Sequence, residues 1–323
     1  MSASVSSDRS NLRKRGTMLA YIFANQGWGS LMGSVVFLIV LQCYKGPMND
    51  RQETSKVDGV WRIVIGVSLV PAFGTLYQRL TLPEATRYTE AQNVAKGNDL
   101  ELKLNDNLPR VEARIAEPPA PNKAQFSGAN SNQNVVLQEI GFDGKSGSTP
   151  WEKLYNLGIG SLIITALGFV PGYYVTVLTV EYVGRKNIQL MGFIMEALFL
   201  GILAGKFYTL NKIAFIVNFA LLQFFFNFGA NTTTYMYPAE VFPTRFKAFA
   251  HGISAACGKA GAIVTALAFN VLNEKFGTPL VLWILVGCCL GGASFTLLLP
   301  EVRGRDPDVF YEEELVRGRQ GLY

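Results

Sequence analysis

A single lysine stands deep inside one of the apolar stretches of the chain. Lys259 lies eleven residues into the run that starts at Ala248. At about 1.5 Å per helical residue this depth is near the middle of a bilayer, where an ammonium group is costly unless its charge is compensated. A lysine that snorkels to the surface is the ordinary alternative, and the depth argues against it. Lys259 is therefore a candidate for binding an anion.

Two amide side chains occupy similar positions in other apolar runs. Asn231 and Gln26 each offer hydrogen-bond donors that the oxygen atoms of an anion could accept. Each amide could also bond to a neighbouring helix, which is common in membrane bundles. The pattern favours a binding role for Asn231 more strongly than for Gln26.

Acidic and basic residues also bracket positions that break helices. Glu181 and Arg185 flank Gly184, Glu240 and Arg245 flank Pro243, and Glu301 follows Pro300. Solvated loop charges of this kind contribute little to stability. The alternative is a set of ion pairs that closes one end of a helix bundle and breaks when its halves move.

The composition is that of a membrane protein. Of 323 residues, 49% are hydrophobic and 16% are charged, and the mean hydropathy is +0.22; soluble domains carry about a quarter charged residues. The net charge of +5 has no aromatic–basic interleaving around it, so it indicates membrane topology rather than nucleic-acid binding. The sequence has no nucleophile–base constellation, and its four cysteines lack metal-ligand spacing. We expect no catalytic residues, no metal and no enzyme.

Seven runs are long and apolar enough to cross a bilayer, which takes about 20 residues. They cover residues 17–44, 60–77, 157–180, 188–205, 213–236, 248–272 and 279–299. Small residues recur in each run, which lets helices pack closely where hydrophobicity cannot drive association. The sequence predicts an all-α membrane protein of about seven transmembrane helices in a lipid bilayer.

The basic residues predict which helix ends face the cytoplasm, but the resulting topology does not close. The basic residues at 13–15 place the start of the first span there. The same side holds the basic positions in 79–114, 185–186, 245–247 and 303–319. If Lys153 were also cytoplasmic, the single span 157–180 would begin and end on one side. We therefore expect an odd number of spans to be missing between Arg114 and Lys153.

Two helix groups end in the same short motif. Leu82-Pro83-Glu84 follows the second span and Leu299-Pro300-Glu301 follows the last, each with an arginine two or three residues later. Recurrence at the end of each group suggests two parallel repeats, which is the architecture of major facilitator transporters.

Further motifs resemble the fungal-type high-affinity phosphate:proton symporters of that superfamily. Arg15-Gly16-Thr17 and Asn25-Gln26-Gly27 are similar to their fifth helix, and Val57-Asp58-Gly59-Val60-Trp61-Arg62 is similar to their sixth. Val170-Pro171-Gly172-Tyr173-Tyr174 is similar to the eighth helix, Asn231-Thr232-Thr233-Thr234 to the tenth and His251-Gly252-Ile253-Ser254 to the eleventh. The similarity covers nearly the whole chain outside the polar block 84–156.

The resemblance implies inorganic phosphate transport by proton symport with alternating access, without an organic cofactor and with the proton as coupling ion. Gln26, Asn231 and Lys259 would bind the phosphate, and the charges that flank the helix breaks would form a cytoplasmic gate. The chain would be an integral protein of the plasma membrane with its C-terminus in the cytoplasm.

Compared with that family, helices one to four and the seventh helix are missing, and with them the carboxylates that would carry the proton. We therefore expect impaired transport and a partial bundle of about seven helices instead of twelve. The predicted organisation is a remnant of the N-terminal bundle at 1–83, a largely disordered cytoplasmic loop with a deleted span at 84–156, the C-terminal bundle at 157–300 and a cytoplasmic tail at 301–323.

Two other functions stay open. The same scaffold could carry a sugar or a glycerophosphodiester, and that substrate would then compete with phosphate. The chain could also be a non-transporting membrane sensor or a partner of a full-length transporter, with which it would then co-purify.

Overall fold

The computed structural model describes residues 14–50, 57–81, 137, 148–304, 306–309 and 311. All regular elements in these ranges are helices. The labelled helices are α1 (Arg15–Cys43), α2 (Lys45–Asp50), α3 (Val57–Gly74), α4 (Leu76–Leu80), α5 (Pro150–Ile164), α6 (Val170–Val183), α7 (Arg185–Lys206), α8 (Lys212–Phe226), α9 (Thr232–Val241), α10 (Thr244–Phe276) and α11 (Thr278–Leu298). The π-helical segments Thr165–Phe169 and Asn227–Asn231 join α5 to α6 and α8 to α9.

Seven of the described helical stretches are long and apolar enough to cross a membrane. They are Arg15–Cys43, Val57–Gly74, Pro150–Val183, Arg185–Lys206, Lys212–Val241, Phe246–Phe276 and Thr278–Leu298. Each of the seven predicted runs overlaps one of them, which confirms the all-α, seven-span prediction. The predicted loop 84–156 lies mostly outside the described residues.

The third span begins earlier than its apolar run indicates. Thr149 caps α5: its hydroxyl accepts a hydrogen bond from the Glu152 backbone N–H, and the Glu152 side chain accepts one from the Thr149 backbone N–H. Pro150 occupies the first turn, where its missing N–H costs nothing. The predicted start at residue 157 is therefore wrong, because a capping box sets the boundary rather than the loss of hydrophobicity.

One end of α1 packs against the start of α5. The Trp151 indole N–H donates to the Leu41 carbonyl at 2.8 Å, and Val60 of α3 packs in the same apolar cluster. This cluster is called the Trp151 end of the bundle. At the start of α3, Val57 and Val60 belong to this cluster and Gly59 lies against Tyr44, which directly follows α1, so α3 starts where α1 ends and runs back antiparallel to it.

The other end of α1 lies at the opposite side of the molecule. The backbone N–H of Thr17 donates to the Glu181 carboxylate at 3.0 Å, and Arg185 follows at the start of α7. This side is called the Arg185 end. Since α3 rises about 27 Å over its 18 residues, α4 and Thr81 lie towards the Arg185 end.

The missing span that the basic residues predict lies mostly outside the described residues. Lys153 lies at the Trp151 end. Thr81 and Ser148 lie at opposite ends of the bundle, because α3 ends on the side opposite to the start of α5. Leu137, the one described residue in between, is 1% exposed and packs into the core formed by α5, α7, α8 and α11.

Two glycines bring α7 against the second π-helical segment. A Cβ added to Gly192 would lie 2.6 Å from the Gly229 Cα, so any side chain at this contact would push the backbones apart. Close approach through small residues is the usual way in which membrane helices gain packing energy. This contact fixes the height of Asn227–Asn231 within the bundle.

Candidate functional site

The second π-helical segment places two asparagines in the interior. Asn227 is fully buried and Asn231 is 8% exposed. A π-helical turn leaves backbone carbonyls without their usual partners, and threonines supply hydroxyl donors here. Thr232 donates to the Asn227 carbonyl and Thr176 of α6 donates to the Phe228 carbonyl, both at 2.6 Å. Threonines from two helices therefore hold the segment in place.

A chain of hydrogen bonds connects Asn231 to α1 through Tyr173 of α6. The Asn231 amide nitrogen donates to the Tyr173 hydroxyl at 2.7 Å, and this hydroxyl donates to the Gln26 carbonyl oxygen at 3.3 Å. The same Asn231 nitrogen also donates to the Asn227 side-chain oxygen at 3.0 Å. The structure thus brings Gln26 and Asn231 together, as the predicted binding role requires, and we call these residues with Asn227 and Tyr173 the amide relay.

Tyr173 was not among the predicted site residues. It is 1% exposed, and its ring makes edge contacts with Phe23 and Phe169 at centroid distances of 5.6 and 5.5 Å. Gly27 of α1 permits this packing, since a Cβ there would lie 2.9 Å from the tyrosine ring. The sequence feature that could have identified Tyr173 as a site residue is its position deep in a span, because a buried phenol needs a hydrogen-bond partner.

Lys259 stands apart from the amide relay. It lies near the middle of α10, on an exposed face, and no hydrogen bond or ion pair among the described residues joins it to Gln26 or Asn231. Two of the three predicted binding residues are therefore in one network, and the third is not.

Two of the predicted gate carboxylates bind the same guanidinium. Arg185 donates to both carboxylate oxygens of Glu240 at 2.8 and 3.0 Å and to those of Glu181 at 2.9 and 3.3 Å. The backbone N–H groups of Arg185 and Lys186 donate to Glu301, so this carboxylate caps α7. The side chain of Arg245 lies outside the described residues.

Arg15 is a further charged residue at this end that the gate prediction did not include. It is 2% exposed, and its three guanidinium nitrogens have no hydrogen-bond partner within the described part of the chain. The neighbouring Gly16 leaves no room for a Cβ, because the Arg185 guanidinium occupies that space. Arg15, Gly16 and Thr17 therefore bring α1 into contact with Glu181 of α6, Arg185 of α7 and Glu240 of α9. We call these six residues the charge cluster.

Among the described residues, no group of three or more histidine, cysteine, aspartate or glutamate side chains is arranged to hold a metal ion. The site chemistry consists of amides, one phenol and buried ion pairs. These groups can bind and orient a polar ligand and can open or close a contact.

Comparisons with known proteins place this arrangement in a family. The family described as Sugar (and other) transporter matches residues 124–308. A Schizosaccharomyces pombe protein named for inorganic phosphate transport is 37% identical over 99% of this chain and 67% of its own length. An inorganic phosphate transporter of Saccharomyces cerevisiae is 32% identical over 94% of this chain and 62% of its own length.

The chain thus spans about two thirds of the length of these relatives. The alignment with the Schizosaccharomyces pombe protein extends over 384 positions although the chain has 323 residues. At least 61 positions of that relative therefore have no counterpart within the aligned region.

The fold is shared with a solved transporter. The proton:xylose symporter XylE, of the major facilitator superfamily, superposes with a TM-score of 0.71 at 17% identity, covering 95% of this chain and 69% of that one. The sequence matches show that the chain belongs to the Sugar (and other) transporter family, with inorganic phosphate transporters among its relatives.

Proposed function

We propose that this protein binds inorganic phosphate and moves it across a membrane by alternating access, with protons as the coupling ion. The observation that carries the proposal is the amide relay, which places Gln26 and Asn231 on opposite sides of one buried hydroxyl. Gln26 belongs to α1 and Asn231 to the C-terminal bundle, so a ligand held by both would sense the movement of one against the other. The names of the relatives make phosphate the first ligand to test.

The charge cluster supplies the second requirement of alternating access, a contact that closes one end of the bundle. Arg185 is 1% exposed and Glu240 is 3% exposed, so their ion pair excludes water. A bidentate arginine–carboxylate pair has one favoured geometry and is lost when the helices separate. We assign the Arg185 end to the cytoplasm, because basic residues concentrate in cytoplasmic loops, and we propose the plasma membrane as its location.

We propose that Lys259 is the cation that compensates the negative charge of the bound anion. It lies on the exposed face of α10, in the stretch 252–269 that contains no other charged residue, and a lysine at this depth facing lipid would be costly. We propose that this face borders the water-filled substrate pathway. The coupling protons and the impaired transport expected from the sequence stay predictions.

Equilibrium binding of inorganic phosphate to the purified full chain tests the function. We expect saturable binding that glycerophosphocholine and xylose do not displace. Gln26→Ala and Asn231→Ala should each weaken it roughly ten- to hundredfold, since a hydrogen bond to a charged group contributes about 1.5–3 kcal/mol. Asn25→Ala is the matched control, because within the described part of the chain the Asn25 amide bonds only to carbonyls of its own helix. Displacement by xylose would favour the sugar alternative.

Phosphate uptake into cells without phosphate transporters addresses the transport step. Binding with little uptake is the result expected from the positions that the aligned relative has and this chain lacks. Strong pH-dependent uptake would contradict the expected impairment and leave the binding proposal intact.

A further inference from the structure

The orientation of each amide in the relay follows from one backbone carbonyl. The Asn227 side-chain nitrogen donates to the Gln223 carbonyl at 2.6 Å. A carbonyl only accepts, so Asn227 must point its nitrogen there and its oxygen towards Asn231. The Asn231 amide must then present its nitrogen to that oxygen, as the 3.0 Å contact shows.

These contacts determine which side-chain atom of Asn231 remains available to bind a ligand. Its nitrogen carries two hydrogens, and both are used, one by Asn227 and one by the Tyr173 hydroxyl. Its side-chain oxygen has no hydrogen bond among the described residues, so the group that Asn231 offers is an acceptor. Sequence reasoning assigned it the role of a donor.

The donor-to-acceptor direction of these hydrogen bonds continues from Asn231 through Tyr173 to Gln26. Its hydroxyl accepts from Asn231, so its own hydrogen is directed at the Gln26 carbonyl oxygen. The Gln26 nitrogen, with two hydrogens and no protein partner among the described residues, is therefore the free end of the relay. Since the tyrosine ring is clamped between Phe23 and Phe169, the hydroxyl has little freedom to choose another partner.

We propose that Tyr173 is a positioning residue that makes the site present one acceptor, the Asn231 oxygen, beside one donor group, the Gln26 amide. This inference rests on the proposed phosphate function and deepens it. A tetrahedral oxyanion satisfies both groups only if it carries an oxygen that accepts and a hydroxyl that donates. Protonated phosphate has both, whereas sulfate at neutral pH has no hydroxyl, so the relay discriminates between them. An unpartnered acceptor facing an anion is strongly unfavourable, which is the physical basis of this selectivity.

The experiment compares binding of inorganic phosphate and of sulfate to the full chain at neutral pH. In Tyr173→Phe the Asn231 amide loses one acceptor and the Gln26 amide is free to turn over. We expect phosphate affinity to fall about tenfold, sulfate affinity to stay or rise, and the phosphate-to-sulfate ratio therefore to narrow. Tyr174→Phe is the matched control, because the Tyr174 hydroxyl accepts from Trp28 and lies outside the relay; both affinities should be unchanged.

The measured affinities test the positioning role of Tyr173 separately from the proposed function. An unchanged ratio in Tyr173→Phe, or an equal loss of both anions, overturns the positioning role while wild-type phosphate binding keeps the proposed function. Failure of the wild-type chain to bind phosphate overturns the proposed function itself. If Tyr173→Phe does not remain monodisperse, Asn227→Leu takes its place. This change frees the Asn231 amide from its other partner and should narrow the phosphate-to-sulfate affinity ratio in the same way. An unchanged ratio in Asn227→Leu also overturns the inference.

Discussion

Arg185 balances two carboxylates at the point where four helix ends meet. Replacing it with alanine leaves Glu240 buried at 3% exposure and Glu181 without its partner. Removing one member of a buried ion pair costs about 3–5 kcal/mol, because the remaining charge is uncompensated. We expect Arg185→Ala to lower the free energy of unfolding by that amount, measured by denaturant unfolding in detergent.

The chain offers a matched control for this change. Arg62 pairs with Asp58 at 2.8 Å on the surface of α3, where both side chains are mostly exposed. Arg62→Ala should cost only about 0.5 kcal/mol, as exposed pairs one helical turn apart usually do. Equal losses in the two variants would show that the charge cluster does not act as a buried unit.

The residue types predicted which residues belong to the charge cluster better than they predicted the hydrogen-bond partner of each residue. Gly184 and Pro243 mark where helices break, so the acidic and basic residues beside them were expected at one end of the bundle. Arg15 was interpreted only as a topological charge, because nothing in a basic triplet indicates which member is buried. Tyr173 was missed for a related reason: hydrogen-bond partners 58 residues apart follow from side-chain geometry.

At the scale of the helices, the π-helical segments are what the sequence pattern did not predict. Apolar periodicity locates a span, but one extra residue in a turn shifts the face that every later residue presents. That shift lies between Phe226 and Thr232, and the Thr176 hydroxyl stabilises it from the neighbouring helix. The fold class was therefore predictable from hydropathy and length, and the inner face of α9 was not.

Thr176→Val tests how much this cross-helix bond contributes. The substitution preserves shape but leaves the buried Phe228 carbonyl without its 2.6 Å donor. The loss of this hydrogen bond costs about 0.5–1.5 kcal/mol, which should appear as a lower midpoint of thermal unfolding. Thr179→Val, one turn along the same helix, removes a hydroxyl whose one partner among the described residues is the Val175 carbonyl of α6. We expect that control to be nearly neutral, and a loss equal to that of Thr176→Val would contradict the cross-helix role.

At the scale of the whole molecule, helix packing sets the end of the bundle at which each described stretch lies. Because α1 packs against the starts of both α3 and α5, Thr81 and Thr149 lie at opposite ends of the bundle. The odd number of missing spans between Arg114 and Lys153 stays a prediction. The relative with at least 61 unmatched internal positions has ample length for a further helix with its loops. Leu137, the one described residue between Thr81 and Ser148, is buried in the core of the C-terminal bundle.

Labelling from the two sides of the membrane tests this topology directly. In a variant whose four cysteines are replaced, single cysteines at Thr81 and Thr149 lie at opposite ends of the bundle. With the Arg185 end in the cytoplasm, a membrane-impermeant maleimide should label Thr149→Cys in intact cells and Thr81→Cys only after permeabilisation. Thr209→Cys, in the loop between α7 and α8, and Tyr182→Cys, beside the charge cluster, report the outer and inner sides as controls. If positions 81 and 149 labelled from the same side, Thr81 and Thr149 would not lie at opposite ends of the bundle, and the packing of α1 against α3 and α5 would not exist in the bilayer.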